Sequence, residues 1–363
     1  MTGPRAVPPG GRVVVKVGSS SLAAPGGGLL INALAGIVDQ VAKSWKRGHP
    51  TVLVTSGAVA AGLPALGLSR RPADIAGLQV AAAVGQSRLM GSYTQEFARH
   101  EMVCGQVLVD KDVLSDRQQY LHARQALLAM LAAGVVPVVN ENDTVVVDEL
   151  RLGDNDRLAA IVCNLVSADI LVLLTDTDGI FDDDPALLGS QLLAAVRHTD
   201  EILDRLQGRG ELGSGGVATK VAAARIAAWS GIPTVVANAA DPGTLEAVTS
   251  GQKVGTWVEG EATRLPARKS WIAFGQPAAG RVVIDAGAVA ALAGRGGSLL
   301  TVGVRSVEGD FESGDAVEIL GPDGGLVAKG VTRWSSAELA AAAGTKSSRE
   351  VVHRDDLVVL TRG

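Results

Sequence analysis

The sequence predicts an α/β protein in which a mostly parallel sheet is sandwiched by helices, followed by a small β-rich domain. Apolar, β-branched runs recur through the first part of the chain, and long helix-compatible stretches separate them. Runs without polar alternation are typical of strands covered on both faces, and their alternation with helices indicates βαβ units. Towards the C-terminus the apolar segments become shorter, and turns rich in Gly, Asp and Pro separate them.

Each element of the first part is predicted from such a run. The strands are predicted at Val13–Val17, Thr51–Thr55, Val135–Val139, Ile170–Leu174 and Pro233–Ala237. The helices are predicted at Leu29–Lys46, Ala73–Phe97, Arg117–Ala133 and Leu158–Val166. We expect one domain over 1–260, a linker of mixed charge and prolines over 261–277, and a second domain over 278–363.

The second domain is predicted from five short apolar segments and one or two helices. The segments are Arg281–Ile284, Leu299–Val304, Ala316–Leu320, Leu326–Ala328 and Asp356–Leu360. Between two of them, Gly321-Pro322-Asp323-Gly324-Gly325 has the composition of a turn.

Composition excludes several classes of protein. Of 363 residues, 47% are hydrophobic and 20% are charged, which permits a large core and excludes global disorder. The net charge of −5 argues against a general polyanion binder. No apolar run reaches the length of a membrane span, and Met1–Gly11 lacks the apolar core of a signal peptide. Because Cys104 and Cys163 have no metal-like spacing, we expect reduced core cysteines in a cytoplasmic protein.

Two lysines lie in segments suited to binding phosphate. Lys220 ends a run of small residues that leads into a predicted helix: Ser214, Gly215, Gly216, Val217, Ala218, Thr219 and Lys220. Free backbone N–H groups, a helix N-terminus and an ammonium group together form an anion site, although a flexible loop before a helix fits the same letters. Lys16 lies near the end of the first strand and is followed by Gly18 and serines. The chain has no P-loop motif.

Carboxylates and amides cluster in two further segments. Asn140-Glu141-Asn142-Asp143 follows the third predicted strand, and Gly153-Asp154-Asn155-Asp156 follows soon after. Each segment alone fits a turn, but together they suit a substrate that bears an ammonium group. Asp176 and Asp178 follow the fourth strand, where they fit a nucleotide pocket, a water-mediated magnesium site or a plain β-turn.

The position and the chemistry of these residues favour one reaction class. Ligands of parallel sheets bind at the carboxyl ends of the strands, so we expect these side chains to lie together in one binding site at that edge of the sheet. No zinc cluster, Ser/His/Asp triad or general base is evident. A carboxylate acceptor needs no base, and lysines, helix dipoles and Mg²⁺ relieve its repulsion from phosphate. The residues therefore favour phosphoryl transfer to an amino-acid carboxylate.

The same segments resemble the amino acid kinase family. The matching segments occur in the family's order: Val15–Ser20, Val54–Ala58, Ala83–Arg88, Asn140–Asp143, Gly153–Asp156, Leu174–Asp176 and Ser214–Lys220. The C-terminal part is similar to a PUA domain, through Gly309–Phe311, Gly314-Asp315, Ser335–Leu339 and Val352–Asp356. The resemblance covers nearly the whole chain and implies the amino acid kinase fold followed by a PUA-like domain.

Within the family, the chain is similar to members that transfer phosphate from Mg-ATP to the γ-carboxylate of L-glutamate. The product is L-glutamyl 5-phosphate, and the reaction is the first step of proline biosynthesis. The resemblance implies that Lys16 and Lys220 contact the transferring phosphate and that Asp156 orients them. It implies a glutamate site of Ser56, Asp143 and Asn155, with Asn140 and Asp154 nearby. It implies ATP contacts from Lys16, Thr175, Asp176, Ser214, Gly215, Gly216, Val217, Ala218, Thr219 and Lys220.

The resemblance also implies feedback inhibition by L-proline at the glutamate site, while Ala-rich helical faces favour a homo-oligomer. Two alternatives stay open. In the first alternative, the chain is another member of the family, an acetylglutamate, aspartate or uridylate kinase, and phosphorylates the acceptor of that member. The other alternative is an RNA-binding role, since PUA-like domains occur in RNA-modifying proteins. Against that role stand the acidic net charge and a C-terminal part of mixed charge without interleaved aromatic and basic residues.

Overall fold

The computed structural model describes residues 3–110, 114–145, 154–208 and 216–361. The chain divides into two compact units. The first consists of Met1–Val113 and Arg117–Arg264, and the second of Leu114–Asp116 and Leu265–Gly363. Among the helices that the structure describes, none combines the length and the apolar character that crossing a membrane requires.

The first unit alternates strands with helices. Its strands are β1 (Val13–Val17), β2 (Thr51–Val54), β3 (Val103–Val109), β4 (Val135–Glu141), β5 (Ile170–Thr175), β6 (Ala195–Arg197), β7 (Thr234–Asn238) and β8 (Thr256–Glu259). Its helices are α1 (Ser19–Leu22), α2 (Ile31–Lys46), α3 (Ala58–Gly62), α4 (Ile75–Ala98), α5 (Arg117–Ala132), α6 (Asp154–Val166), α7 (Glu201–Gly208), α8 (Val217–Trp229) and α9 (Thr244–Thr249).

These strands form one sheet in the order β3-β4-β2-β1-β5-β7-β8-β6. Every pairing in it is parallel except that between β7 and β8. Strand β1 lies near the centre, and all five of its residues are buried. In register, Val15 lies opposite Leu53 on one side and Val172 on the other. The prediction of a mostly parallel sheet flanked by helices is confirmed.

The five predicted strands are present, with ends that differ by at most a few residues, but three further strands lacked a clear sequence signal. Strands β3 and β6 are the two edges of the sheet. Strand β8 lies between β7 and β6, antiparallel to β7 and parallel to β6. Most residues of β3 are exposed or only partly buried. An edge strand is not covered on both faces, so its sequence lacks the continuous apolar run that marked the inner strands.

The second unit is a β-rich fold with its own core. Its strands are β9 (Gly280–Ile284), β10 (Val304–Gly309), β11 (Ala316–Leu320), β12 (Leu326–Val331) and β13 (Leu357–Val359), in the order β10-β9-β11-β12-β13. Its helices are α10 (Ala267–Ser270), α11 (Ala286–Arg295) and α12 (Ser336–Ala342). Helix α12 begins with a reciprocal capping box between Ser335 and Glu338. The core includes Phe311 and Leu339, both at most 2% exposed.

Two segments of this unit differ from expectation. The strand predicted at Leu299–Val304 is a 3-10 turn over Thr301–Gly303, and β10 begins only at Val304. Leu299 instead forms an isolated bridge with Val352. Part of the segment expected as a linker is helical: α10 is followed by the buried π-helical turn Trp271–Gly275. All five residues of this turn are buried, which explains why this part of the segment is ordered rather than solvated.

Candidate active site

A buried ion cluster lies where β1, α6 and α8 meet. Lys16 is 4% exposed and Asp156 is fully buried. Lys16 Nζ lies 2.6 Å from Asp156 Oδ1, and Lys220 Nζ lies 3.7 Å from Asp156 Oδ2. Thr219, beside Lys220 in the first turn of α8, donates a 2.7 Å hydrogen bond to Asp156 Oδ2. One carboxylate therefore holds two ammonium groups together.

The electrostatics of the cluster favour a bound anion. Burial alone would raise the pKa of Asp156, but Lys16, Lys220 and Thr219 lower it below its ordinary value. Burial lowers the pKa of Lys16, against the attraction of Asp156. With both lysines protonated, the cluster carries one net positive charge at the carboxyl end of the central strand. That charge is suited to a phosphate placed beside it.

Side-chain amides connect four elements of the first unit. Asn155 Nδ2 lies 2.9 Å from the carbonyl oxygen of Thr55, 3.0 Å from Ser56 Oγ and 3.0 Å from Asn140 Oδ1. Asn140, in turn, donates from Nδ2 to Gln86 Oε1 at 2.9 Å. These bonds fix β2, β4, α4 and α6 relative to one another, and Asn155 is the residue directly before the buried Asp156.

A cavity of about 260 Å³ lies beside these amides, and we call it the first cavity. Its lining includes Ser56, Asn140, Asn155, Asp143 and Arg71. Burial raises the pKa of Asp143 to about 6, against the attraction of Arg71. Since drug-sized ligands occupy roughly 300–1,000 Å³, the first cavity suits a smaller molecule. Its mixture of carboxylate, guanidinium and amide groups suits a molecule that carries both charges.

A second cavity, of about 490 Å³, meets the ion cluster at Lys220, whereas the first cavity is lined by Asn155, the residue before Asp156. Thr175 and Asp176, at the end of β5, line the second cavity together with Gly216 and Val217 at the start of α8. Thr175 Oγ1 donates to Asp176 Oδ1 at 3.0 Å. Gly216 is the N-cap of α8 and supplies no side-chain cap. Uncapped N–H groups and the helix dipole at this end are suited to an anionic ligand.

The structure brings most of the predicted site residues into these three places. Ser56, Asn140, Asp143 and Asn155 line the first cavity. The second is lined by Thr175, Asp176, Gly216, Val217 and Lys220, while Lys16, Asp156 and Thr219 belong to the ion cluster. Ala218 is instead buried in the first turn of α8. Ser214, Gly215 and the side chain of Asp154 lie outside the described residues.

Three residues of the site were not predicted from their chemistry. Gln86 accepts from Asn140, Tyr93 Oη lies 2.7 Å from Thr55 Oγ1, and Arg71 lines the first cavity. Gln86 and Tyr93 lie on the long helix α4, where a single polar residue resembles an ordinary solvent-facing position. The only signal for Gln86 was its place in a segment that resembles the family.

Comparison with known proteins identifies the family of this chain. The model of the amino acid kinase family matches residues 11–238, and the PUA domain model matches residues 280–354. The chain is 44% identical to the glutamate 5-kinase of Marinomonas sp. (strain MWYL1), over 96% of this chain and 97% of the relative. It is 46% identical to the glutamate 5-kinase of Thermobifida fusca (strain YX), over 97% of this chain and 94% of the relative. The match to the family model and this likeness along nearly the whole chain show that the protein belongs to the amino acid kinase family.

Proposed function

We propose that this protein transfers the γ-phosphate of ATP to the γ-carboxylate of L-glutamate, giving L-glutamyl 5-phosphate in the first step of proline biosynthesis. The observation that supports this most directly is the buried Lys16–Asp156–Lys220 cluster between a small zwitterion-suited cavity and a larger cavity at a helix N-terminus. Relatives of 44% and 46% identity that carry the name glutamate 5-kinase support the choice of acceptor.

In this proposal the first cavity binds glutamate. Asp143 and the oxygen of the Asn155 side chain bind the α-ammonium group, because both are acceptors in that cavity. Ser56 and Asn140 contribute further polar contacts, and Asp154 lies at the start of the same helix as Asn155. The γ-carboxylate is then directed towards the ion cluster, where the lysines offset its charge.

The second cavity binds ATP. Thr175 and Asp176 contact the nucleotide, and the segment from Ser214 to Lys220 holds the phosphates at the start of α8. Lys16 and Lys220 contact the transferring phosphoryl group, and Asp156 orients both ammonium groups through the contacts described above. The lining of the two cavities supports this division of roles, because Asn155 lines the first and Lys220 lines the second.

The reaction needs no proton acceptor. A carboxylate oxygen of glutamate forms a bond to the γ-phosphorus of ATP, and the bond from that phosphorus to the bridging oxygen of ADP breaks. The side-chain carboxyl group is already ionised at neutral pH, so no base has to remove a proton. What opposes the reaction is repulsion between anions, and the positive cluster lowers that repulsion as charge shifts towards ADP.

The residues present fit Mg²⁺ bound together with ATP. The described residues contain no group of three or more His, Cys, Asp and Glu side chains that would hold a metal alone. Mg²⁺ keeps several waters and is commonly held by one or two carboxylates and the phosphates of its substrate. Asp176 in the second cavity is suited to that role, directly or through water. The ion would supply further positive charge to the phosphates.

Two further features belong to the proposal. L-Proline carries an ammonium and a carboxylate group like those of glutamate, so we expect it to inhibit by binding in the first cavity. We also expect self-association, because α4, β3 and α5 each present an exposed apolar side chain, at Val80, Val103 and Leu121. Analytical ultracentrifugation of the purified protein tests the second expectation, and a monomer at micromolar concentration contradicts it.

The function is tested by measuring ADP release with Mg-ATP and each of four acceptors: L-glutamate, N-acetyl-L-glutamate, L-aspartate and UMP. Hydroxylamine in a parallel reaction traps the acyl phosphate as a hydroxamate. We expect turnover that depends on L-glutamate, yields the hydroxamate and falls when L-proline is added. Turnover with another acceptor would replace glutamate in the proposal, and the absence of turnover with all four would refute it.

A further inference from the structure

The side-chain amides of Gln86, Asn140 and Asn155 form a relay whose direction is set by the backbone. The backbone N–H of Glu141 lies 2.9 Å from one atom of the Asn140 amide. A backbone N–H can only donate, so this atom is the oxygen Oδ1. The nitrogen Nδ2 of Asn140 must then be on the other side, where it needs an acceptor, and Gln86 Oε1 is that acceptor at 2.9 Å.

A second backbone group sets the other end of the relay. Asn155 lies 2.9 Å from the carbonyl oxygen of Thr55, which can only accept, so the atom in this contact is Nδ2. The same nitrogen lies 3.0 Å from Asn140 Oδ1. The oxygen Oδ1 of Asn155 is thereby left buried and without a hydrogen-bond partner among the described residues. Asn155 lines the first cavity, so a ligand donor that enters there and displaces the contacts covering Oδ1 would satisfy this buried acceptor.

Gln86 is held in place by a close crossing of α3 and α4. A Cβ atom on Gly85 would overlap the carbonyl oxygen of Ala58, and one on Gly62 would overlap the carbonyl oxygen of Ala81. The two helices therefore approach to a distance that only glycine allows at these positions. Gln86 follows Gly85 directly, so the crossing fixes its backbone. Its Nε2 is buried without a partner among the described residues, and only its oxygen takes part in the relay.

We propose that Gln86 is a positioning residue for amino-acid binding: its Oε1 holds the Asn140 amide, and Asn140 Oδ1 joins the Thr55 carbonyl oxygen in holding Asn155 Nδ2, so that Asn155 turns Oδ1 towards the α-ammonium group of the substrate. The identity of that substrate rests on the proposed function. Without the Gln86 acceptor, Nδ2 of the 1% exposed Asn140 would be a buried donor with no partner. Rotation of the Asn140 side chain towards another acceptor then breaks its bond to Asn155.

The test compares two substitutions of similar length. Gln86→Met removes the acceptor, whereas Gln86→Glu keeps an acceptor oxygen at Oε1, replaces the unpartnered Nε2 with a second oxygen and adds a negative charge. We expect Gln86→Met to raise the KM for L-glutamate roughly tenfold, as the loss of one hydrogen bond to a charged group does. The KM for Mg-ATP stays within about twofold of the wild type. Gln86→Glu retains most of the wild-type affinity for glutamate, and Gln95→Met, on the exposed side of the same helix, is the control.

A second readout separates positioning from a general structural role. Glutarate has both carboxylates of glutamate but no ammonium group. Its inhibition constant, measured in competition with L-glutamate, changes little in Gln86→Met, so the preference for glutamate over glutarate falls by roughly the same tenfold factor. Equal losses for glutamate and glutarate, an unchanged KM for glutamate, or a Gln86→Glu variant as weak as Gln86→Met would each overturn the proposal.

Folding is checked by circular dichroism and thermal unfolding of every variant. If Gln86→Met does not fold, Gln86→Leu takes its place in the comparison. Failure of both to fold would also overturn the proposal, since the role of Gln86 would then be structural. The wild-type protein in the same assay tests the proposed function separately: an absence of glutamate turnover there refutes the reaction, and direct calorimetric titration of L-glutamate into the variants still decides the role of Gln86.

Discussion

The substitution Asp156→Asn is expected to destabilise the protein strongly, because it removes the carboxylate that lies 2.6 Å from the buried Lys16 and that separates the charge of Lys16 from that of Lys220. At an effective dielectric constant of about 20, pairs 2.6 and 3.7 Å apart attract by roughly 6 and 4.5 kcal/mol before the cost of desolvation. Removing one partner of a buried pair costs about 3–5 kcal/mol in practice. The Asn oxygen still accepts a hydrogen bond, so we expect about 3 kcal/mol, or a fall in Tm of roughly 6–12 °C.

A double-mutant cycle decides whether the uncompensated charge is the cause. Urea unfolding without substrates is followed by circular dichroism for Asp156→Asn, Lys16→Met and the double variant. The double variant has lost the 4% exposed lysine as well as the carboxylate, and Lys220 at 12% exposure retains some contact with water. We therefore expect it to be more stable than the sum of the single effects predicts, by at least about 1.5 kcal/mol. Effects that add to within about 0.5 kcal/mol would refute the reasoning.

Three further predictions concern the two cavities and the helices beside them. Lys220→Ala should lower kcat at least about a hundredfold with little change in Tm, because Asp156 keeps its 2.6 Å partner; a near-normal kcat in steady-state assays would contradict its role. Asp143→Asn should raise the KM for L-glutamate but not that for ATP. In the wild type, that KM should rise as the pH falls through about 6, because a protonated Asp143 cannot attract the ammonium group. Arg71 opposes this protonation, so Arg71→Ala should shift the rise in the KM for L-glutamate to higher pH. A KM that does not change between pH 5 and 8 would contradict the predictions for both the wild type and Arg71→Ala. Gly85→Ala should lower the urea midpoint by forcing α3 and α4 apart, whereas Gly91→Ala on the same helix, whose Cβ meets nothing within 4 Å, should not.

The sequence predicted those parts of the fold where local pattern and burial agree. Strands β1 and β5 are buried along their whole length, and their uninterrupted apolar runs predicted them nearly residue for residue. The edge strand β3 is mostly exposed or partly buried, and its mixed composition gave no such pattern. The turn Trp271–Gly275 differs in another way: it lies in the segment expected as a linker from its prolines and mixed charge, but its five residues form a buried helical turn.

The candidate site also contains residues that local pattern predicted and one residue that it did not. Lys16 and Asn140 lie near the carboxyl ends of β1 and β4, and Asp156 lies in the first turn of α6, where parallel sheets place their ligands, so position and chemistry pointed to them together. Gln86 reaches the site from the middle of a 24-residue helix. Its role depends on a helix crossing that only the folded chain creates, and no local spacing encodes it.

The sheet order has a consequence for how this architecture can diversify. Apart from Ser20, the described residues around the second cavity lie between 175 and 220, whereas those around the first lie between 19 and 155. Strands β2 to β4 lie on one side of β1 and strands β5 to β8 on the other, so each half of the chain forms most of one cavity. Recombination near residue 156 would therefore replace the residues that line one cavity and leave those of the other unchanged. With the acceptor and ATP in the cavities proposed for them, such an exchange would change the preferred acceptor and keep the phosphate donor. A chimera of two homologues joined at that point is the simplest test.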